Sequence, residues 1–226
     1  MKKLILSIII CLIPLKTIAH VDHYKDFNYL EYELFRNNKL IGEHKFYFAK
    51  KNEILTVRSI VSFKITKLGV DLYKYFAESE ESYKNGKFYE FSSTTKQNKK
   101  DKYVNIRLKN EEDKLVIDGS SYKGDASKEF IVGTWWNHEI IKAEAQISAI
   151  SGRIIPQTVK FIGEEDISIN KKKFKALHFN FSSSQKNLPK DKILNTDIWY
   201  DKKTKLWIKA TFDKTGFWEY RLKTYN

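Results

Sequence analysis

Polar and apolar residues alternate along most of this chain with a period of two. Leu55, Val57, Ser59, Val61, Phe63 and Ile65 fall on one side of a ladder. Ile54, Thr56, Arg58, Ile60, Ser62 and Lys64 fall on the other, more polar side. Successive side chains of an extended strand point to opposite faces, so this alternation predicts a strand with one face packed. The pattern recurs in Tyr103–Lys109, with Val104, Ile106 and Leu108 inward. Near the end, Leu206, Ile208, Ala210 and Phe212 oppose Trp207, Lys209, Thr211 and Asp213. Aromatic and β-branched residues dominate these runs, as a pleated, half-buried surface favours. Turn signals separate them at hairpin spacing: Asn37-Asn38-Lys39, Lys50-Lys51-Asn52, Asn85-Gly86 and Lys214-Thr215-Gly216. Strands this close in sequence pair antiparallel, because a parallel crossover needs about a dozen residues or more. The expected fold is all-β and mainly antiparallel, a meander curled into a half-barrel or lipocalin-like barrel.

One segment departs from this period. Between Thr134 and Ile150 the apolar residues Ile140, Ile141, Ile147 and Ile150 recur at helical spacing. Thr134 or Asn137 is a suitable N-cap, and Gly152 sits where a C-terminal cap belongs. The spacing predicts one short amphipathic helix or helical turn. Pro156 restarts the extended chain, and Pro189 lies in the polar loop Ser182–Lys192. No internal repeat, low-complexity tract or long linker divides the chain, so residues 20–226 read as a single antiparallel β domain.

The start of the chain changes the chemical picture. Met1-Lys2-Lys3 is a cationic head, and Leu4–Leu15 is apolar apart from Ser7, Cys11 and Pro14. Thr17 and Ala19 place small residues where a signal peptidase reads them. Residues 1–19 therefore predict a cleaved secretory signal peptide, too short in its apolar core to span a bilayer, and a periplasmic mature protein beginning at His20. Cleavage removes Lys2, Lys3 and Lys16, lowering the formal charge from +13 to +10. It also removes Cys11, the only cysteine; Ile10 before it does not suit lipoprotein processing. The mature chain then has no disulfide, thiolate nucleophile or cysteine metal site. No later stretch approaches about 18 uninterrupted apolar residues, so no transmembrane segment is expected after cleavage.

Basic charge alone suggests nucleic acid, but the residue types do not. Of 41 basic residues only Arg36, Arg58, Arg107, Arg153 and Arg221 are arginine, the side chain whose planar fork reads phosphates and bases. No nucleic-acid partner is expected. Solvated lysines on exposed strand faces account for the charge, and an anionic membrane surface is the partner that such charge would attract.

The densest candidate site is Gly133-Thr134-Trp135-Trp136-Asn137-His138-Glu139. Trp135, Trp136, Asn137 and His138 could line a ligand pocket, with aromatic walls and a few polar groups to orient the bound molecule. Equally, the two indoles could plug one end of the sheet while Asn137 caps the helix. A hydrolase or lyase using His138 with Glu139 is a third reading. His20, His23, His44 and His178 do not pair with any histidine at metal-binding spacing, beyond a weak His20-x-x-His23 at the new amino terminus. No Gly-x-Ser-x-Gly elbow, Ser-x-x-Lys motif or phosphate loop appears. No cofactor, metal or catalytic set is therefore expected. Glu78, Glu80 and Glu81, and Glu164-Glu165-Asp166, read as solvated strand faces. Aromatic residues make up 15% of the chain, which suits either a filled core or a curved sheet lined for a lipid chain. The leading expectation is an apolar or amphipathic, lipid-like ligand bound at the cell envelope. The alternative is a structural or assembly factor of the envelope without a ligand cavity.

These motifs also occur in a familiar order. Tyr32-Glu33-Leu34-Phe35, Leu40-Ile41-Gly42-Glu43-His44 and Val61-x-Phe63-x-Ile65 come first, then Tyr73-x-Tyr75 with Glu81 and Gly86-Lys87-Phe88. Trp136-Asn137, Trp199-Tyr200-Asp201, Leu206-Trp207-Ile208-Lys209 and Glu219-Tyr220-Arg221-Leu222 complete the series. The chain resembles the DUF6134 family of exported bacterial proteins of unknown function, which looks related to the DUF3108 group. That resemblance implies a periplasmic antiparallel β protein with curved sheets, comparable to half-barrel lipoprotein carriers and lipocalin-like shapes. It carries over no catalytic residues.

Overall fold

Asparagine opens most of the tight turns that organise this chain. The structure, a computed structural model, describes Tyr24 and residues 27–226; the leader, His20 and His23 lie outside the described residues. Asn37, Asn52, Asn85, Asn98 and Asn170 each begin a two-residue hairpin turn at positive φ, between 48° and 55°. Asparagine tolerates this left-handed region, which matches the twist of the flanking strands. The strands so joined are β1 (Tyr29–Arg36), β2 (Lys39–Lys51), β3 (Ile54–Lys67), β4 (Val70–Lys84), β5 (Lys87–Gln97) and β6 (Lys100–Lys109). The next strands are β7 (Lys114–Gly119), β8 (Lys123–Ser127), β9 (Ile131–Val132) and β10 (Ala145–Ile147). The last five are β11 (Ile154–Ile169), β12 (Lys172–Ser183), β13 (Asn195–Asp201), β14 (Trp207–Asp213) and β15 (Phe217–Tyr225).

All fifteen belong to one sheet, in the order β8-β7-β6-β5-β4-β3-β2-β1-β15-β14-β13-β12-β11-β10-β9. The first and last long strands, β1 and β15, therefore pair at its middle. Every neighbouring pair is antiparallel except β9 with β10. The end strands β8 and β9 do not bond to each other, so the barrel-like sheet stays open. This is the expected mainly antiparallel meander, with two wings meeting at β1 and β15. No helix among the described residues is long and apolar enough to cross a membrane.

Period two reads correctly where one face is solvated. In β3, Leu55, Val57 and Ser59 are buried, and Arg58, Ser62 and Lys64 are exposed; in β6, Val104 and Ile106 are buried. It fails in β14. Trp199 pairs with Lys209 but Tyr200 pairs with Trp207, a bulge that absorbs Ile208. The bulge turns Trp207 to the same face as Ala210, so Trp207 joins the core and does not stand against the apolar row.

The expected helix is also much shorter than its spacing suggested. Only His138–Lys142 winds into a 3-10 turn, with the Asn137 side chain accepting from the Glu139 N–H at 3.1 Å. Residues Ala145–Ile147 form a strand instead. The apparent helical period arises because Ile140 and Ile147 are buried in different clusters. Gln157, buried, ends the turn by donating to the carbonyls of Ile140 and Ala143, both at 3.0 Å. Gly152 serves the turn into β11, at a φ of 77° and pressed against Gly119, and caps no helix.

The main core cluster gathers Tyr32, Phe46, Trp136, Ile198, Tyr200 and Trp207 between the two wings, and a smaller one holds Phe91, Ile106, Leu115 and Ile117 under the β5–β8 side. Trp207 touches Tyr32 face to face at 4.1 Å and Phe46 edge-on at 6.3 Å. Removing a fully buried indole leaves a large cavity, so Trp207→Ala should lower the unfolding free energy by about 3–5 kcal/mol. Guanidinium denaturation checks this, and a loss below about 1 kcal/mol would mean that the side chain is not packed as described.

Candidate ligand-binding site

The segment after β9 packs into the main core, and Gly133 and Trp135 shape its path. A Cβ on Gly133 would lie 2.4 Å from the buried Gln146 Oε1. Trp135 takes a φ of 63°, which reverses the local direction and sends the two adjacent indoles apart. Trp136 is 1% exposed and meets Tyr24, Phe48 and Tyr83 edge-on at 5.0, 5.5 and 5.7 Å. Its Nε1–H donates to Glu81 Oε2 at 2.9 Å, and the Thr134 hydroxyl donates to the same oxygen at 3.1 Å. The Tyr83 hydroxyl donates to Oε1 and accepts from Asn137 Nδ2 at 3.2 Å.

Glu81 is the centre of this arrangement. It is 2% exposed, and no cation pairs with it among the described residues. Burial raises its carboxyl above the usual range, and the three donors offset this only in part. Burial, then the neighbouring carboxylate, also pushes the Tyr83 hydroxyl well up. Glu78 and Glu80 do lie on the outer face, with Glu78 bonded to Arg58, but Glu81 points inward. Farther along the sheet, Glu164 reaches Lys202 and Glu165 reaches His178.

Trp135 turns to the opposite side of the plug. It packs on Trp207, Tyr220 and Phe212 at 5.5, 5.7 and 6.3 Å, and its carbonyl accepts from the Tyr200 hydroxyl at 2.9 Å. Its buried Nε1 has no hydrogen-bond partner among the described residues, and neither does Nδ1 of His44. His44 Nε2 lies 2.7 Å from Ser59 Oγ, and burial pushes its imidazole down to about 3, so it is neutral at physiological pH. The His138 side chain is largely covered, at 12% exposed, with its Nε2 3.1 Å from Glu139 Oε1. Burial alone would raise Glu139, but His138 and Lys142 outweigh it and bring the carboxyl to about 2. The four expected site residues thus do not line one surface. Trp136 and Asn137 converge on Glu81 and Tyr83, Trp135 faces the β14–β15 side, and His138 faces Tyr24 and Tyr200. No group of three metal-ligating side chains occurs among the described residues.

The room for a ligand lies on the outer face. A groove of about 760 Å³ is lined by residues of β1 to β5 and β15, Gly42 among them. Gly42 opposes Phe63 so closely that a Cβ would lie 2.4 Å from the Phe63 Cβ and 2.1 Å from the Ser62 carbonyl oxygen. Leu40, Ile41 and Phe76 supply apolar surface, and charged side chains surround them. Most of these charges are already matched: Glu31 with Lys223 at 2.8 Å, Glu43 with Lys45, and Asp71 with Lys74 at 3.1 Å. Lys64 and Lys96 line the same groove and pair with no acid among the described residues. Sequence reading missed this site because its residues come from six strands. Only the alternation that places Ile41 and Phe76 on solvated faces hinted at it.

Together these features define a barrel-like protein made of one open antiparallel sheet, with an aromatic plug on its concave side. The chain belongs to a family known as Domain of unknown function (DUF6134), whose model matches residues 32–223. Its fold is similar to the crystal structure of a beta-barrel-like protein of the DUF1849 family from Brucella abortus. That likeness has a TM-score of 0.61 at 13% identity, and covers 88% of this chain and 97% of that one. A DUF1329 family protein from Desulfovibrio piger aligns over 92% of this chain and 90% of its own at 11% identity, but its TM-score of 0.23 supports no common fold. No curated protein matches the sequence.

The Glu81 arrangement fixes the sign of a pH effect. A carboxyl raised by folding binds its proton more tightly in the native state, so its ionisation costs stability as pH rises above about 4.5. The difference in unfolding free energy between wild type and Glu81→Gln should therefore be flat at lower pH and fall above that point. Urea titrations at stepped pH measure it, and a difference that rises with pH would contradict the direction given.

Proposed function

We propose that this protein is exported through its leader and binds an amphipathic, lipid-like ligand at the cell envelope, held in the outer groove. The groove itself carries this reading: about 760 Å³ of space, apolar surface from Leu40, Ile41 and Phe76, and two lysines without an ion-paired acid among the described residues. Unpaired lysines at a partly apolar groove favour an anionic head group beside a hydrocarbon body. In this arrangement Lys64 and Lys96 hold the head, and Ile41 and Phe76 contact the chain. The reading is of a binding protein, and no step of covalent chemistry is assigned to it.

A second reading keeps the ligand near the plug. Among the described residues the buried Trp135 Nε1 and His44 Nδ1 both lack partners, and both residues pack on Tyr220, at 5.7 and 6.0 Å. A small polar group reaching both atoms would satisfy them, and of the four expected site residues only Trp135 would touch it.

Native mass spectrometry of protein purified from its own envelope tests the first reading. Adducts of fatty-acid or phospholipid mass are expected, together with uptake of added dodecanoate or lysophosphatidylglycerol. Lys64→Glu with Lys96→Glu should weaken that uptake at least about tenfold without changing the thermal midpoint, because both side chains are exposed. A ligand-free mass with no uptake would sink the proposal. Uptake unchanged by the double variant but lost on Trp135→Phe, which removes the indole N–H, would favour the second reading.

A further inference from the structure

We propose that the tip of the β3–β4 hairpin docks on an anionic lipid surface. The pairing of β2 with β3 ends at Gly42 and Phe63, and that of β4 with β5 ends at Tyr75 and Gln97. Beyond these points Lys64 pairs with Lys74, Ile65 with Tyr73, Thr66 with Asp71 and Lys67 with Val70. The hairpin thus projects past its neighbours as a two-stranded ribbon, about 13 Å long at the usual strand rise. The β5–β6 turn braces its base, where Asn98 Oδ1 accepts from the Lys74 N–H at 2.7 Å.

The residues at the end of this ribbon are the reverse of what a solvated turn calls for. Among the described residues six two-residue turns join strands, and five of them begin with asparagine. The sixth begins with Leu68, held at a φ of 50° and 95% exposed. A leucine in the left-handed region is strained, and full exposure of its side chain gives no packing in return. Val70 and Leu72 beside it are 62% and 54% exposed. By contrast, Asn52-Glu53, Asn85-Gly86 and Asn170-Lys171 at the opposite end of the sheet carry no apolar residue.

Charge identifies the occupant. Lys64 and Lys67 on the ribbon, and Lys99 and Lys100 on the bracing turn, are exposed and pair with no acid among the described residues. The one acid on the ribbon, Asp71, is matched by Lys74. An apolar tip inside a collar of unpaired lysines is complementary to hydrocarbon overlaid by anionic head groups. Protein partners would instead present acidic side chains in fixed positions, and the mobile lysine stems of a collar suit a laterally fluid surface better. In this geometry Leu68, Val70 and Leu72 enter the interface while the lysines sit at head-group level. Lys64 is common to the groove and the collar, but Lys67 and Leu68, the residues varied in the test, do not line the groove, so the two proposals fail independently.

Vesicle sedimentation with the purified chain tests the assignment. Wild type should bind vesicles of phosphatidylglycerol and phosphatidylcholine at low salt, and bind pure phosphatidylcholine far less. Leu68→Asn installs the residue used in the other five turns, so the thermal midpoint should hold or rise while affinity for the anionic vesicles falls about tenfold. Lys67→Gln should weaken binding several-fold and reduce its salt dependence. A Leu68→Trp variant should gain a fluorescence component quenched by lipids brominated in the acyl chain. Failure of wild type to bind anionic vesicles, or Leu68→Asn binding as tightly as wild type, would overturn the proposal. Equal binding by Leu68→Asn would place any lipid contact on lysines elsewhere, and dodecanoate uptake by the same sample reports on the groove independently.

Discussion

A single carboxylate without a cation holds the inside of this protein together. Glu81 accepts from Trp136, Thr134 and Tyr83, and through Tyr83 it also reaches Asn137. Three donors of the plug and of β4, Trp136, Thr134 and Tyr83, would lose their acceptor without it, and a buried donor left unpaired costs about 1–3 kcal/mol. The carboxylate therefore sets the depth and rotation of the segment between β9 and β10. Once Trp136 is fixed, the rings of Tyr24, Phe48 and Tyr83 have a surface to close on, and the two wings of the sheet share one core. A hydrophobic side chain at the same place would fill space but would not specify which indole enters. Here the polar network selects Trp136 over its neighbour, and the left-handed Trp135 backbone makes that choice sterically consistent.

The outside of the sheet offers two further features. At Gly42, which lines the groove, close approach of the β3 backbone leaves no room for a Cβ. Just past Gly42 and Phe63 the β3–β4 ribbon extends beyond its neighbours. Groove and ribbon are adjacent but present different chemistry: largely matched charges in the first, exposed leucine and valine in the second.

Much of the architecture was legible in the residue pattern, for a physical reason. Strands such as β3 and β6 have one wet face, and period two records that asymmetry directly. β14 does not, because a bulge at Ile208 shifts the parity and brings Trp207 inward. The helical reading of residues 134–150 failed because Ile140 and Ile147 belong to two separate clusters, and no single amphipathic face connects them. Glu81 was hidden in the run Glu78-Ser79-Glu80-Glu81-Ser82, which composition alone reads as solvated. Its parity with Tyr83 and Tyr75 was a usable signal, since those rings face inward. Of the groove, the residue pattern offered only the solvated positions of Ile41 and Phe76. Glu31 and Lys223 on its wall are 192 positions apart, and only the meeting of β1 with β15 makes them neighbours.

The central claim is that the plug is structural and that the ligand belongs to the outer groove. A two-dimensional ¹⁵N–¹H spectrum recorded during titration with lysophosphatidylglycerol tests both halves at once. The account expects progressive shifts of the backbone amides of Ile41, Glu43, Lys64, Phe76 and Lys96, while the Trp136 indole N–H, bonded to Glu81, stays in place. Movement of the Trp135 and Trp136 indole signals with stationary groove amides would contradict it.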